Sequence, residues 1–327
     1  MITIEKYNYK MLNIWDDFIS KSNNGTIFNK QTFLSYHISR KFKDHSLLFY
    51  LKNKLLCVLP AAHIKKNNQE ILCSHPGASF GGLICIENIK FSTYDLILKS
   101  LVDYSKKRGF DSILLINTPS IYSRVQDGSL NYLLLWNCFY PYENYISHFV
   151  DISKNKTIDE LLSKRKQRYI RQLIDQKMFT IKSSDNFNCF YEILLDSKKT
   201  FNSQPTHSLK ELKKLISLFP DDIELLLSET GGEISGGALI FYTNTASCLV
   251  FYNVIKLKYQ SSQLATLQLY YCMQRAKQHG CKIIDFGVSH TPENNNPLKP
   301  KKSLIKFKEQ FGARGVLRTV YKWKLND

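Results

Sequence analysis

The chain has 327 residues, 43% of them apolar, which is long for one domain and ample for two cores. Its net charge is +17 and unevenly spread: residues 1–150 carry 17 basic and 11 acidic side chains, residues 151–327 carry 28 and 17. No segment approaches the roughly 18 uninterrupted apolar residues of a membrane span, and eight cysteines with no C-x-x-C spacing argue for reduced thiols over a disulfide framework or a zinc site.

The opening Met-Ile-Thr-Ile-Glu-Lys has no signal-peptide layout, so a cytoplasmic location is expected. Helical period then predicts helices over 10–21 and 31–42. A hairpin follows, with strands at 47–51 and 55–64 turning at Asn53. An amphipathic helix over 94–108 ends at Gly109 and leads into the strand Ser112–Ile116. The same order returns downstream. Helices over 185–201 and 208–218 precede a hairpin of strands 223–227 and 234–242 around Gly231-Gly232. A third strand over 247–255 and a helix over 262–279 follow, and Gly280 leads into Lys282–Phe286. Aligning Gly109 with Gly280 superposes two helix–Gly–strand units. The expectation is an α+β protein with mixed sheet, in two similar domains, 1–151 and 152–327.

Two windows hold the basic excess of the second half: Lys154–Lys182, with 9 basic and 3 acidic residues, and Lys299–Lys324, with 9 and 1. Such concentration suits phosphates, tRNA, an acidic carrier protein or an anionic membrane face. In the first window, Leu161–Ile174 has helical period. It groups Leu162, Tyr169 and Leu173 on one face and Lys164, Arg168 and Arg171 on the opposite one, where three cations can hold an anion. In the second window, a helix capped by Gly312 carries Leu304, Phe307 and Phe311 on one stripe. Lys308 falls on that same stripe. A lysine on a buried face needs anionic or polar partners unless it snorkels out, so Lys308 is a candidate site residue. The turn 256–262 joins a strand to a helix. Lys256, Lys258 and Ser261, at that helix N-terminus, are candidate phosphate ligands for a donor. No G-x-S-x-G, GxxxxGK[ST] or GxGxxG motif occurs, so hydrolase, P-loop and dinucleotide readings lack their usual support.

These residues resemble the Fem family of peptidoglycan bridge-forming aminoacyltransferases and the related acetyltransferase-like proteins of the GNAT fold. Ser74-His75-Pro76 through Gly81-Gly82-Leu83 is similar to the family's Pro…Gly-Gly-Leu strand. Arg168-Tyr169-Ile170-Arg171 is similar to its R-x-I-R helix, and Gly236-Gly237-Ala238-Leu239 to its central hairpin strand. Gly280 to Gly287 is similar to the helix-to-strand step before its cleft, and Phe307-Lys308 with Phe311-Gly312 to its terminal F-K-x-x-F-G. The resemblance implies two tandem GNAT-like domains and transfer of an acyl or aminoacyl group from an activated ester or thioester to a primary amine. It implies Lys308, with Phe307, at the catalytic centre, and Arg168 and Arg171 on an anionic acceptor, small or lipid-linked. Tyr252 is implied as a lining residue of the splayed strand. Asp285, at a strand end, is either a base or a support for the loop after it. No resident cofactor is implied. The donor is an acyl-carrier-protein thioester, an acyl-coenzyme A or an aminoacyl-tRNA, and the turn 256–262 lacks the glycine that usually admits coenzyme A pyrophosphate. The long helical hairpin of staphylococcal-type, tRNA-using members is also missing, because 183–220 is too short for it. The acceptor expected is a phosphate-bearing cell-envelope or glycan precursor, with peripheral contact to a membrane face compatible. The alternatives are tRNA-dependent aminoacyl transfer of the bridge-forming type, and a non-catalytic GNAT pair binding nucleic acid.

Overall fold

The computed structural model describes residues 1–38, 40–153, 157–200, 203–290 and 298–325. The chain forms two compact units: Met1–Ile146 with Pro292–Lys299 and Val316–Asp327, and Ser147–Thr291 with Pro300–Gly315. Both are α+β, with helices packed on mixed sheets.

The first unit opens with strand β1 (Ile2–Lys6) and helix α1 (Leu12–Lys21). The second expected helix is only a turn, α2 (Gln31–Leu34). The chain then leaves helical geometry because tertiary contacts outweigh propensity: Tyr36 is buried, and the His37 ring bonds the Gly77 carbonyl at 2.7 Å. Strand β2 (Lys43–Asp44) leads to a hairpin of β3 (Leu47–Leu51) and β4 (Lys54–Leu59), turned by Lys52 and Asn53, both at positive φ. The strand expected over 55–64 is broken at Pro60, which cannot donate to a ladder. The residues after it form β5 (Ala61–Lys66), which pairs with β6 (Gln69–Ser74) in a different sheet. β7 (Ile84–Cys85) completes the four-stranded sheet β1-β3-β4-β7. Helix α3 (Phe91–Lys107) then crosses over to β8 (Ser112–Ile116), parallel to β6. Helix α4 (Ser129–Trp136) packs on α3. The core gathers Leu47, Phe49, Leu59, Leu98, Leu101 and Ile113.

Strand β9 (Tyr140–Asp151) leads into the second unit, where its last residues pair with the strand that follows Gly280. The helix expected over 161–174 is two pieces: α5 (Ile158–Leu161) and α6 (Lys164–Asp175). Ser163 restarts the helix as N-cap, its hydroxyl accepting from the Lys166 amide. Strand β10 (Thr180–Ser183), which was not expected, is followed by helices α7 (Phe187–Lys199) and α8 (Leu209–Leu218) and strands β11 (Ile223–Thr230), β12 (Glu233–Asn244) and β13 (Ser247–Ile255), close to expectation. Helix α9 (Leu264–Gln278) crosses to β14 (Ile283–Val288), parallel to β13. This repeats the β6–α3–β8 crossover of the first unit, and both crossovers turn on glycines at positive φ, Gly109 and Gly280. β13 and β14 pair over Ser247–Leu249 and Ile283–Asp285, after which β13 runs on to Ile255. Helix α10 (Lys302–Glu309) ends in Gly312 at φ 78°, where a Cβ would meet the Leu161 carbonyl oxygen at 2.8 Å. The last strand, β15 (Arg314–Lys324), pairs with β8.

Candidate active site

Lys308 is 5% exposed, so its stem does not carry the ammonium to solvent. The Nζ donates to the carbonyl oxygens of Gly287 (2.7 Å) and Val288 (3.0 Å) and to Ser289 Oγ (3.0 Å). Three N–H donors thus meet three acceptors at the end of β14. Burial lowers the ammonium to about 8, against the opposing pull of Asp285. Asp285 is fully buried. Its Oδ1 accepts from Ser147 Oγ (2.8 Å) and from the Gly287 amide (2.7 Å), so it ties the end of β14 to β9. His148 closes the network, its Nδ1 2.9 Å from Ser289 Oγ. Burial, then Lys308, pushes this imidazole below its usual range.

A cavity of about 470 Å³ is formed by α6, the start of α9 and α10. Its lining includes Arg165, Lys166, Tyr169, Gln263, Thr266, Lys306 and Phe307. Of the expected site residues, Phe307 reaches it directly; Lys308, one residue on, points to the carbonyls instead. The residue that sequence reasoning missed is Lys166. Read with the helix starting at Ser163, the inward positions are Lys166, Ile170 and Leu173, at i, i+4 and i+7. Leu162, just before this helix, is buried with Ile170 and Leu173, and Tyr169 is half-buried at the cavity wall, so Lys166 lies on the same inward stripe. Lys166 is 4% exposed. Its Nζ donates to Thr266 Oγ1 (2.7 Å) and Gln263 Oε1 (3.3 Å) and stands 4.5 Å above the Phe307 ring. Burial, then Arg165, lowers it to about 8. Arg165 Nε donates to the Tyr169 hydroxyl at 3.2 Å, and the Arg168 guanidinium lies 5.6 Å from the same ring. Lys164, Arg168 and Arg171 are exposed on the outer face of α6.

The N-terminal end of α9 borders the cavity through Gln263, Ala265 and Thr266. Gln263 adopts φ 61°, ψ 17°, the left-handed conformation a glycine would otherwise supply. A non-glycine residue there stores strain of the kind that collects at ligand sites. The lysines of the preceding turn do not face the cavity as free cations. Lys256 Nζ is 2.7 Å and Lys258 Nζ 2.5 Å from the two carboxylate oxygens of Glu233, whose carboxyl these partners hold down at about 2. Ser261 lines a second, adjoining hollow of about 260 Å³ with Tyr169, Gln172, Gln176, Met178 and Gln263. Tyr252 is buried on β13, its hydroxyl 3.1 Å from His207 Nδ1; burial pushes its phenol up to about 12, and it is not part of the cavity lining. Lys154 and Lys156 of the first basic window lie outside the described residues.

No protein-family model matches the chain, and no curated protein matches it in sequence. Solved structures match it in fold. FemX aligns with a TM-score of 0.73 at 13% identity, over 98% of both chains. L-PGS from Bacillus licheniformis aligns at 0.59 and 12%, over 99% of this chain and 94% of that one. A tandem GNAT protein from the clavulanic acid biosynthesis pathway aligns at 0.54 and 9%, over 100% and 99%. In fold, then, the chain is α+β and similar to FemX and to a tandem GNAT protein.

Proposed function

We propose that the chain is an N-acyltransferase that moves an acyl or aminoacyl group from an activated ester or thioester to an amine on an anionic cell-envelope or glycan precursor. The observation that carries this reading is the cation-lined cavity at the start of α9. A helix N-terminus, Arg165, Lys166 and Lys306 converge there on one space, walled by Tyr169 and Phe307. That combination suits the phosphates of an acyl donor, with an aromatic face for its apolar or base portion. The cations Lys164, Arg168 and Arg171 extend the positive surface along the outside of α6. They suit an anionic acceptor, or a donor longer than a free cofactor, such as a carrier-protein thioester or an aminoacyl-tRNA.

In the proposed reaction the acceptor amine attacks the donor carbonyl carbon. A C–N bond forms, the carbonyl electron pair moves to oxygen, and collapse breaks the C–S or C–O bond. Overall, the amine's proton ends on the released thiol or hydroxyl. The chain contributes position and positive potential. Lys166 is assigned to the donor. Lys308 is assigned to fix Gly287–Ser289 at the end of β14, with its charge near the developing oxyanion. Tyr252 and the Lys256–Glu233–Lys258 cluster are assigned to shaping strand β13 and the turn behind the cavity.

The test is incorporation of radiolabel from acyl-coenzyme A, acyl-carrier protein and aminoacyl-tRNA into amine acceptors. Transfer from any one donor, lost in Lys166→Met, supports the reading. Salt-dependent tRNA binding with no transfer from any donor favours a non-catalytic nucleic-acid-binding pair instead.

A further inference from the structure

Helix α4 in the first unit is apolar over most of its surface, with Asn131 exposed beside the patch. Its inward residues Leu133 and Leu134 are fully buried. Its outward face carries Tyr132, Leu135 and Trp136, which fall within about 100° of one another on the helix and are 58%, 53% and 67% exposed. Phe91, at the start of α3, is half exposed and extends the patch, its ring 6.1 Å from that of Tyr132. Contiguous exposed aromatics of this kind mark interaction surfaces.

We propose that this face docks on an anionic phospholipid bilayer, lying in the headgroup plane. Two observations select a bilayer over a second copy of the chain. Tryptophan and tyrosine, each with an apolar ring and a polar tip, suit the boundary between acyl chains and headgroups. Around the patch the charges balance: Lys90 directly precedes Phe91, Lys99 pairs with Asp95, whose other oxygen accepts from Asn137, and Asp127 accepts the Ser129 amide. Finally, two copies of a chain carrying +17 repel each other, while an anionic leaflet attracts it. Eight residues span about 12 Å, so the helix rests on the surface and does not cross it. Among the described residues no helix is long and apolar enough to cross a membrane.

The other two tryptophans, Trp15 and Trp323, are buried, so Trp136 dominates any change of environment at the surface. The full chain is mixed with vesicles of phosphatidylglycerol and phosphatidylcholine, or of phosphatidylcholine alone, and followed by flotation and tryptophan emission. Expected are co-flotation and a blue shift with the anionic vesicles. In L135S/W136S the floated fraction should fall roughly tenfold or more, with the melting temperature moved by no more than about 2 °C because both side chains are exposed. Absence of flotation by the parent chain, or equal flotation by parent and variant, overturns the proposal. Dimers seen by light scattering that the variant dissolves, without vesicle binding, overturn it in favour of a second copy.

Discussion

Replacing Lys166 with methionine separates ligand binding from folding. The side chain is 4% exposed and held by Thr266 and Gln263. Lowering its ammonium from 10.5 to about 8 corresponds to about 3 kcal/mol working against the charged form in the folded chain. Methionine removes that cost and keeps the volume, while giving up two hydrogen bonds worth about 1 kcal/mol each. The hydroxyl of Thr266 keeps Gln263 Oε1 at 3.1 Å. Lys166→Met should therefore fold as stably as the parent, or more so by about 1 kcal/mol, a rise of roughly 2–4 °C in melting temperature for a chain of this size. Affinity for the acyl donor should fall roughly tenfold to a hundredfold, the worth of a charge-assisted phosphate contact. The sign with pH follows. A lysine whose folded value is depressed binds fewer protons folded than unfolded between about 8 and 10.5. Parent stability should therefore rise through that window, and donor affinity should fall as Lys166 discharges above about 8. Both slopes should weaken in the methionine variant. The assays are thermal melts and equilibrium donor binding from pH 6.5 to 9.5. A variant that melts much lower yet binds the donor normally would show Lys166 to be a structural residue only, and would refute the reasoning.

Three further outcomes are expected. Lys308→Ala leaves the Gly287 and Val288 carbonyls without their donor; it should cost about 2–3 kcal/mol in denaturant unfolding and lower kcat on the order of a hundredfold, whereas full activity would end its proposed role. Arg168→Ala and Arg171→Ala should raise the acceptor's KM more than they lower kcat, an effect that shrinks at high salt; a salt-insensitive kcat effect would place α6 in the chemistry itself. Gly312→Ala should destabilise by roughly 1–3 kcal/mol, because φ is 78° and the new Cβ would meet the Leu161 oxygen; an unchanged melt would show that the helix end relaxes.

What the sequence disclosed was whatever short-range pattern determines. The repeated helix–Gly–strand step was legible because Gly109 and Gly280 each stop an amphipathic helix at a left-handed residue. Lys308 was legible as a buried lysine because its stripe is set by Leu304, Phe307 and Phe311. Its partners were not, since the Gly287 and Val288 carbonyls are backbone atoms about twenty residues away in the chain. Lys166 was missed although it falls on the apolar stripe the sequence showed. At 100° per residue it lies within about 40° of Leu162, on the stripe that Leu162, Tyr169 and Leu173 already defined, and its charge alone suggested the wet side. The pairing of Lys256 and Lys258 with Glu233 depends on the register of β12 against β13, which no local pattern fixes. Gln263 in a left-handed conformation was likewise unreadable, because glycine is the usual sign of it.

Acyl transfer itself is tested most directly by offering the purified chain each labelled donor in turn (acyl-coenzyme A, acyl-carrier protein, aminoacyl-tRNA) with a panel of phosphate-bearing amine acceptors, and following label into an amide bond. Expected is transfer from at least one donor, abolished by hydroxyl in place of the acceptor amine and reduced at least tenfold in Lys166→Met. Tight, salt-sensitive binding of a donor with no amide formed on any acceptor would contradict it.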